Sequence, residues 1–267
     1  VIKQIFSDMD GTLLNDRGVI SDMNIQTIKS CNIPFTLVSA RSPIEMFDTI
    51  DVLGLTNTQI AFNGGLIYKR HGNSIDKISE DFLDSRVVEN ITLQMRQQFE
   101  DISLSLYTDE KWYTDKIDSG IKLETSLTFH EPEVVKYPEF FKNVDEDIYK
   151  IMFIANSISE MTTIIKALDD LHLTGVSIQQ SGNNYLEITS DKAKKSAGIA
   201  YIQKLNHLEK SEMAAFGDGH NDIPMLKMTG TSIIMENATK EVKKYATHIT
   251  KTNQQDGVSF GIMNFIK

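Results

Sequence analysis

Short apolar runs of strand type alternate with helix-period stretches at both ends of this chain, and the alternation breaks in its middle third. The run Val1 to Phe6 is followed by a helix that Ser21 can cap, with Ile25 and Ile28 on its apolar face, and then by Phe35 to Val38 as a short strand. Ser42-Pro43 opens a second helix that Gly54 stops, before the strand Gln59 to Phe62. The end of the chain returns to this alternation, with helix Ala197 to Leu205, strand Met213 to Phe216, helix Ile223 to Met228, strand Ser232 to Met235 and helix Glu241 to Tyr245. Strand-helix repeats of this kind predict an α/β fold, a Rossmann-like doubly wound parallel sheet covered by helices on both faces.

The middle third reads differently. Leu66 to Lys69 and Ser74 to Ile78 flank His71-Gly72-Asn73 as a hairpin. From Asp84 a helix through Val87, Val88, Ile91 and Met95 precedes strands at Ile102 to Tyr107 and Trp112 to Asp115. Further helices follow, then a strand at Tyr149 to Ile154, a helix at Ile158 to Leu171, and strands at Val176 to Gln180 and Tyr185 to Ile188. The expected organisation is a core of residues 1–83 plus 183–267, interrupted by an inserted α+β domain over 84–182. A chain of 267 residues is long enough for two such units.

A net charge of −10 disfavours nucleic acid or an anionic membrane as partner, because both demand a basic field. The lone Cys31 excludes a disulfide framework and a cysteine-based zinc cluster, and suits a reducing compartment, read as the cytoplasm. No stretch has the length of a membrane span, and the start lacks a secretory pattern, so a soluble, non-exported monomer or weak homo-oligomer is expected.

The chemistry concentrates where strands end. Asp8-Met9-Asp10-Gly11-Thr12 follows the first apolar run; alternation along a strand points Asp8 and Asp10 the same way, while Gly11 turns the chain and leaves backbone N–H groups facing them. Other strand ends carry Ser39 with Arg41 two positions on, and Gly217-Asp218-Gly219-His220-Asn221-Asp222; Lys195 stands just before a helix. In an open parallel sheet such ends border the ligand crevice. Three carboxylates there repel by roughly 4 kcal/mol per pair at about 4 Å and an effective dielectric near 20, so the arrangement calls for a cation. Oxygen ligands without cysteine or clustered histidine point to Mg2+.

Blander roles compete at several positions. Asp222 suits the start of a helix, Ser39 suits a helix cap, and Lys195 lies in Lys192-Ala193-Lys194-Lys195, which by itself reads as a solvated basic face. His220 has no metal spacing, and Met225, Met228 and Met235 read as core. No Gly-x-x-x-x-Gly-Lys-Ser/Thr loop is present.

Taken together, Ile5 to Leu14, Ala61-Phe62-Asn63-Gly64-Gly65 and Phe216 to Leu226 resemble the motifs of haloacid dehalogenase-like phosphatases of the Cof type, subfamily IIB, and the resemblance runs nearly end to end. It implies a phosphatase acting on small phosphorylated metabolites, such as sugar phosphates, through an aspartyl-phosphate. Asp8 would be the nucleophile, and Asp10 the acid that protonates the leaving alcohol and then activates water. Mg2+ would be held by Asp8, the Asp10 carbonyl and Asp218, with Asp222 near or behind it. Ser39 and Lys195 would hold the phosphate; Gly11, Arg41, Asn63, Gly64 and Asn221 would border phosphate or substrate.

This chain departs from the family pattern in having Ser39-Ala40-Arg41 for Thr-Gly-Arg, Lys194-Lys195-Ser196 for Ser-Lys-Gly, and Glu236 for a glycine before Asn237-Ala238. The resemblance makes the inserted domain a type 2 cap, closing out water and setting specificity; Tyr107, Trp112, His130 and Glu131 are its candidate contacts, though surface or packing roles suit each of them better. Alternatives are a phosphomutase of similar fold, or a non-catalytic phosphometabolite-binding protein. The intact Asp8, Asp10 and Asp218 argue against the second, since binding alone needs no nucleophile with a neighbouring acid.

Overall fold

The protein is described by a computed structural model over residues 1–72 and 74–266; Asn73, at the tip of the expected hairpin, lies outside the described residues. In chain order, the first segment holds β1 (Gln4–Ser7), α1 (Asp22–Ser30), β2 (Phe35–Leu37), α2 (Pro43–Leu53), β3 (Gln59–Ala61), β4 (Leu66–His71) and β5 (Ser74–Glu80). Next come α3 (Ser85–Gln98), β6 (Ser103–Tyr107), β7 (Trp112–Thr114), α4 (Ser119–Thr128), β8 (Glu133–Val134), α5 (Tyr137–Asn143), β9 (Lys150–Ile154), α6 (Ile158–Asp170), β10 (Val176–Ser181) and β11 (Tyr185–Ser190). The last segment holds α7 (Lys195–Leu205), β12 (Met213–Gly217), α8 (Ile223–Met228), β13 (Thr231–Ile234), α9 (Lys240–Lys243), β14 (His248–Ile249) and α10 (Gly257–Phe265).

These elements form two compact units. The first comprises Val1–Arg41, Met46–Glu80 and Lys194–Lys267; the second comprises Ser42–Glu45 and Asp81–Ala193. The first unit is built on a parallel sheet in the order β14-β13-β12-β1-β2. Every residue of β1 and β12 is buried, as expected of strands covered on both faces. On one face Phe6, Met213 and Ala215 pack with Ile199 and Ile202 of α7 and Met225 and Leu226 of α8. On the other, Asn24 of α1 accepts from the Ser259 N–H and hydroxyl at 3.0 and 2.9 Å and so ties α10 down. Ser21 caps α1 through the Asn24 N–H, as its sequence position implies.

β3 serves two sheets. Val38 bridges Ile60 in parallel, and the Ser39 N–H donates to the Ile60 carbonyl at 3.0 Å, while β3 also pairs antiparallel with β4, and β4 with β5. The hairpin read from the sequence is therefore present and branches from the edge of the parallel sheet.

The second unit has a six-stranded sheet in the order β10-β11-β9-β6-β7-β8, antiparallel except for the β7-β8 pair. Leu104, Leu106, Ile151, Phe153, Leu186 and Ile188 line one face against Val88, Ile91 and Met95 of α3, Phe140 of α5 and Ile164 and Leu168 of α6. Asp84 caps α3 through the Arg86 and Val87 N–H groups. The pairing of β11 with both β9 and β10 carries this unit through Ala193. Among the described residues no helix is long and apolar enough to cross a membrane.

The expected elements recur with shifts of a residue or two at their ends. Three additions were silent in the sequence. β8 and β14 are two residues long, too short to carry a period. In α10, Gly257 and Gly261 read as breakers, yet a side chain at Gly261 would press on the Phe216 ring, so the glycine allows helix and strand to approach.

Candidate active site

β1 and β12 lie side by side in parallel, with Ser7 opposite Phe216, and the Asp8 N–H donates to the Phe216 carbonyl at 3.0 Å. The chain proceeds from β1 to β2 on one side and returns later to β12 on the other. The ends of β1 and β12 therefore flank a topological switch point, where an open parallel sheet leaves a crevice. Asp8 leaves β1 there, and the loop Asp218 to Asp222 leaves β12.

That loop is folded back by Asp222. Its fully buried carboxylate accepts the Asp218 and Gly219 N–H groups on Oδ2, each at 2.9 Å, and the Lys195 ammonium on Oδ1 at 2.7 Å. Lys195, the first residue of α7, also donates from Nζ to Asp8 Oδ1 at 2.5 Å; its side chain has no exposed surface. Lys194 beside it is exposed, and it is Lys195 that reaches the carboxylates. The solvated-face reading of the lysine run holds for Lys194 and fails for Lys195.

Carboxylate oxygens of Asp8, Asp218 and Asp222 fall within 4.8 Å of one another. Burial, then the charge of Asp222, pushes the Asp8 carboxyl well above its ordinary range, against the pull of Lys195. Asp218 is raised to about 6, first by burial and then by Asp222, against the hydrogen bond from Thr12. Burial alone would lower the Lys195 ammonium, but Asp222 and Asp8 carry it above its usual value. Three carboxylates around one ammonium thus leave excess negative charge in a desolvated place. Hard oxygen donors so arranged suit a divalent cation, which would relieve the repulsion. Gly11 makes room for this: a Cβ there would collide with the Asp218 carboxylate.

The other expected residues divide into groups. Ser39 is fully buried, and its Oγ accepts the Arg41 N–H at 3.1 Å. Asn63 donates its N–H to the Ser39 carbonyl at 2.8 Å, and its side-chain oxygen accepts from Asn221 Nδ2 at 3.3 Å. Phe62, Asn63 and Gly64 all have positive φ, at 50, 55 and 101°. Such a run is strained for the two non-glycine residues, and at Gly64 a side chain would collide with the Lys194 carbonyl. Asp10 stands outward, its side chain 57% exposed, and is held by Arg41. His220 is exposed and pairs with Glu241 at 3.1 Å, in keeping with a surface role.

A model of the haloacid dehalogenase-like hydrolase family matches residues 5–262. The chain belongs to that family. Among its relatives is a 5-amino-6-(5-phospho-D-ribitylamino)uracil phosphatase of Escherichia coli (strain K12), 28% identical over 266 residues that cover 96% of this chain and 93% of the relative. A Haemophilus influenzae protein named only as a phosphatase candidate is 28% identical over 96% of this chain and 95% of its own. The crystal structure of a haloacid dehalogenase-like hydrolase from Bacteroides thetaiotaomicron shares the fold at a TM-score of 0.89 and 23% identity, covering 100% of both chains.

In this haloacid dehalogenase-like hydrolase, two residues at the site escaped sequence reasoning. Thr12 donates its hydroxyl to Asp218 Oδ1 at 2.6 Å, joining the first motif to the last. Asn237 donates from Nδ2 to the Gly11 carbonyl at 2.8 Å and approaches Asp218 Oδ2 at 3.5 Å, while its Oδ1 accepts the Asn253 N–H. Asn237 follows β13, the neighbour of β12, so the strand-end argument already applied to Ser39 points to it as well. Glu236 contributes its backbone: its carbonyl accepts Lys243 Nζ at 2.6 Å.

Proposed function

We propose that this hydrolase removes the phosphoryl group from a small phosphomonoester, a sugar phosphate or related metabolite, with Mg2+ as cofactor and an aspartyl-phosphate on Asp8 as intermediate. The observation that carries the reading is the meeting of Asp8, Asp218 and Asp222 with the buried Lys195 at the β1/β12 switch point. Beside it stand relatives bearing phosphatase names, the 5-amino-6-(5-phospho-D-ribitylamino)uracil phosphatase of Escherichia coli among them.

Asp8 and Asp218, with the Asp10 carbonyl, would hold Mg2+, whose charge would offset that of the phosphoryl oxygens. Asp222 braces the loop and Lys195. Lys195 fixes Asp8 Oδ1, and Asp8 Oδ2 is the attacking oxygen. Its bond to phosphorus forms as the bond to the leaving oxygen breaks, and Asp10 gives that oxygen a proton. Water then attacks phosphorus while Asp10 takes its proton, the Asp8–phosphorus bond breaks, and inorganic phosphate leaves. Such transfer is largely a matter of positioning and charge, which a lysine and fixed hydrogen bonds can supply. Ser39, Asn63, Gly64 and Asn221 border the phosphate end of the substrate, and the second unit is the type 2 cap of the family.

A panel of phosphomonoesters assayed for phosphate release, with Mg2+ and with chelator, tests this reading. Turnover should require the metal and vanish in Asp8→Asn. A fully active Asp8→Asn protein removes the nucleophile from the account; transfer to a sugar acceptor without phosphate release makes the protein a mutase.

A further inference from the structure

Arg41 and Asp10 stand in a relation that the phosphate-contact role expected of Arg41 does not describe. The guanidinium donates from Nε to Asp10 Oδ2 at 2.9 Å and from a terminal nitrogen to Asp10 Oδ1 at 2.7 Å, a two-pronged grip on both oxygens. The exposures of the partners are opposite: the Arg41 side chain is 12% exposed and that of Asp10 57%. The fold therefore holds the arginine, and the arginine holds the carboxylate.

The arginine's own footing is tightly tied. Its N–H donates to Ser39 Oγ at 3.1 Å, and its carbonyl accepts the Phe62 N–H at 3.0 Å, at the head of the left-handed run 62–64. Asp10 by contrast precedes the Gly11 turn, where φ is 75°; its backbone bridges Leu14, and its side chain projects outward from the buried residues on either side. A short carboxylate at such a place samples several rotamers unless something selects one.

Resting on the function proposed above, we infer that Arg41 is the positioning residue of Asp10. Its rigid planar fork sets both the rotamer and the plane of the acid–base carboxylate. A carboxylate offers about four lone-pair sites, and the fork uses one on each oxygen. Held so, Asp10 would meet the leaving-group oxygen in the first step and water in the second from one fixed geometry. Lysine, a point charge, would keep the attraction and lose the plane.

The test compares wild type, Arg41→Gln, Arg41→Lys, Asp10→Asn and the double variant Arg41→Gln/Asp10→Asn. Substrates are 4-nitrophenyl phosphate, whose leaving group needs little protonation, and glycerol 1-phosphate, whose leaving group needs it. Arg41→Gln should lower kcat on glycerol 1-phosphate by about 10- to 100-fold, a part of what general acid catalysis supplies, and kcat on the aryl ester by less than about threefold. KM for both, and inhibition by inorganic phosphate, should stay within about twofold, and Arg41→Gln should add nothing in the Asp10→Asn background. Weaker binding of both substrates and of phosphate, with equal losses of kcat, would make Arg41 a phosphate ligand and overturn the inference. So would a further loss in the double variant. If Arg41→Gln does not fold, Arg41→Lys carries the same comparison. A crystal structure of the variant decides independently of turnover: the Asp10 carboxylate should leave its rotamer while Asp8 and Asp218 keep theirs, and an unmoved Asp10 refutes the clamp. Absence of turnover in wild type on every ester would instead sink the phosphatase reading.

Discussion

Replacing Asp218 by asparagine should stabilise the metal-free protein while removing its activity. The Asp218 carboxyl is raised from 3.8 to about 6, chiefly by burial, so at neutral pH the folded protein holds a charge that it would more readily hold protonated. The gap corresponds to about 3 kcal/mol when Asp218 is ionised in both states. The sign follows from proton counting: between these two values the folded state binds more protons than the unfolded, so stability falls as pH rises through that window. The cost should be about 3 kcal/mol near pH 7.5 and about 1 kcal/mol near pH 4.5, where folded Asp218 is already protonated.

Asparagine carries no charge, and its amide carbonyl can still accept the Thr12 hydroxyl that now bonds Oδ1. Since Asp218 is only half-buried, the figure is an upper limit, and a gain of about 1–3 kcal/mol, or roughly 3–9 °C in melting temperature, is expected in chelator near pH 7.5. Mg2+ should reverse the order, since ligand at about 100 times its Kd adds about 2.7 kcal/mol to the protein that binds it. Thermal melts of both proteins at the two pH values, with chelator and with Mg2+, check this. A variant that melts below wild type in chelator near pH 7.5, or whose lead is the same near pH 4.5, refutes the reasoning.

Lys195→Met leaves Asp8 and Asp222 without their buried cation, and should cost about 3–5 kcal/mol in chelator, measured by denaturant unfolding, with phosphatase turnover lost. Gly64→Ala forces a side chain into a backbone at φ 101° and against the Lys194 carbonyl; it should destabilise by about 1–3 kcal/mol and lower kcat more than it raises KM, by displacing the adjacent Lys195. Thr12→Val removes the donor to Asp218 and should weaken Mg2+ binding in calorimetry while costing about 1.5–3 kcal/mol of stability at most. Ser21→Ala, at a residue that bonds none of the acidic cluster, removes the α1 cap and the 2.5 Å hydrogen bond to Asp256; it should cost about 1 kcal/mol in unfolding and leave turnover unchanged.

Much of this molecule can be read from local pattern. The first two strands with their helix, the cap Ser21, the hairpin of β4 and β5, and the placing of Asp8, Asp10 and Asp218 at strand ends follow from periodicity and from residue type. Each depends on neighbours within a turn or a strand, so a short window holds the information. The family resemblance added roles; Lys195 was set apart by its place before a helix and by the motif match, and the structure buries it while leaving Lys194 exposed.

What only the tertiary structure decided are the contacts between residues far apart in the chain. Strand order is the clearest: nothing in Gln4–Ser7 states that its neighbour is Met213–Gly217, yet that adjacency brings Asp8 beside Asp218. The Thr12–Asp218 bond, the Asn237–Gly11 bond and the Arg41 fork on Asp10 likewise join positions separated by 206, 226 and 31 residues. Sequence alone determined which groups were available and the local shape that presents them. Their pairing, and the burial that raises the Asp8 and Asp218 carboxyls, had to await the sheet, because desolvation and charge coupling depend on distance through space and not along the chain.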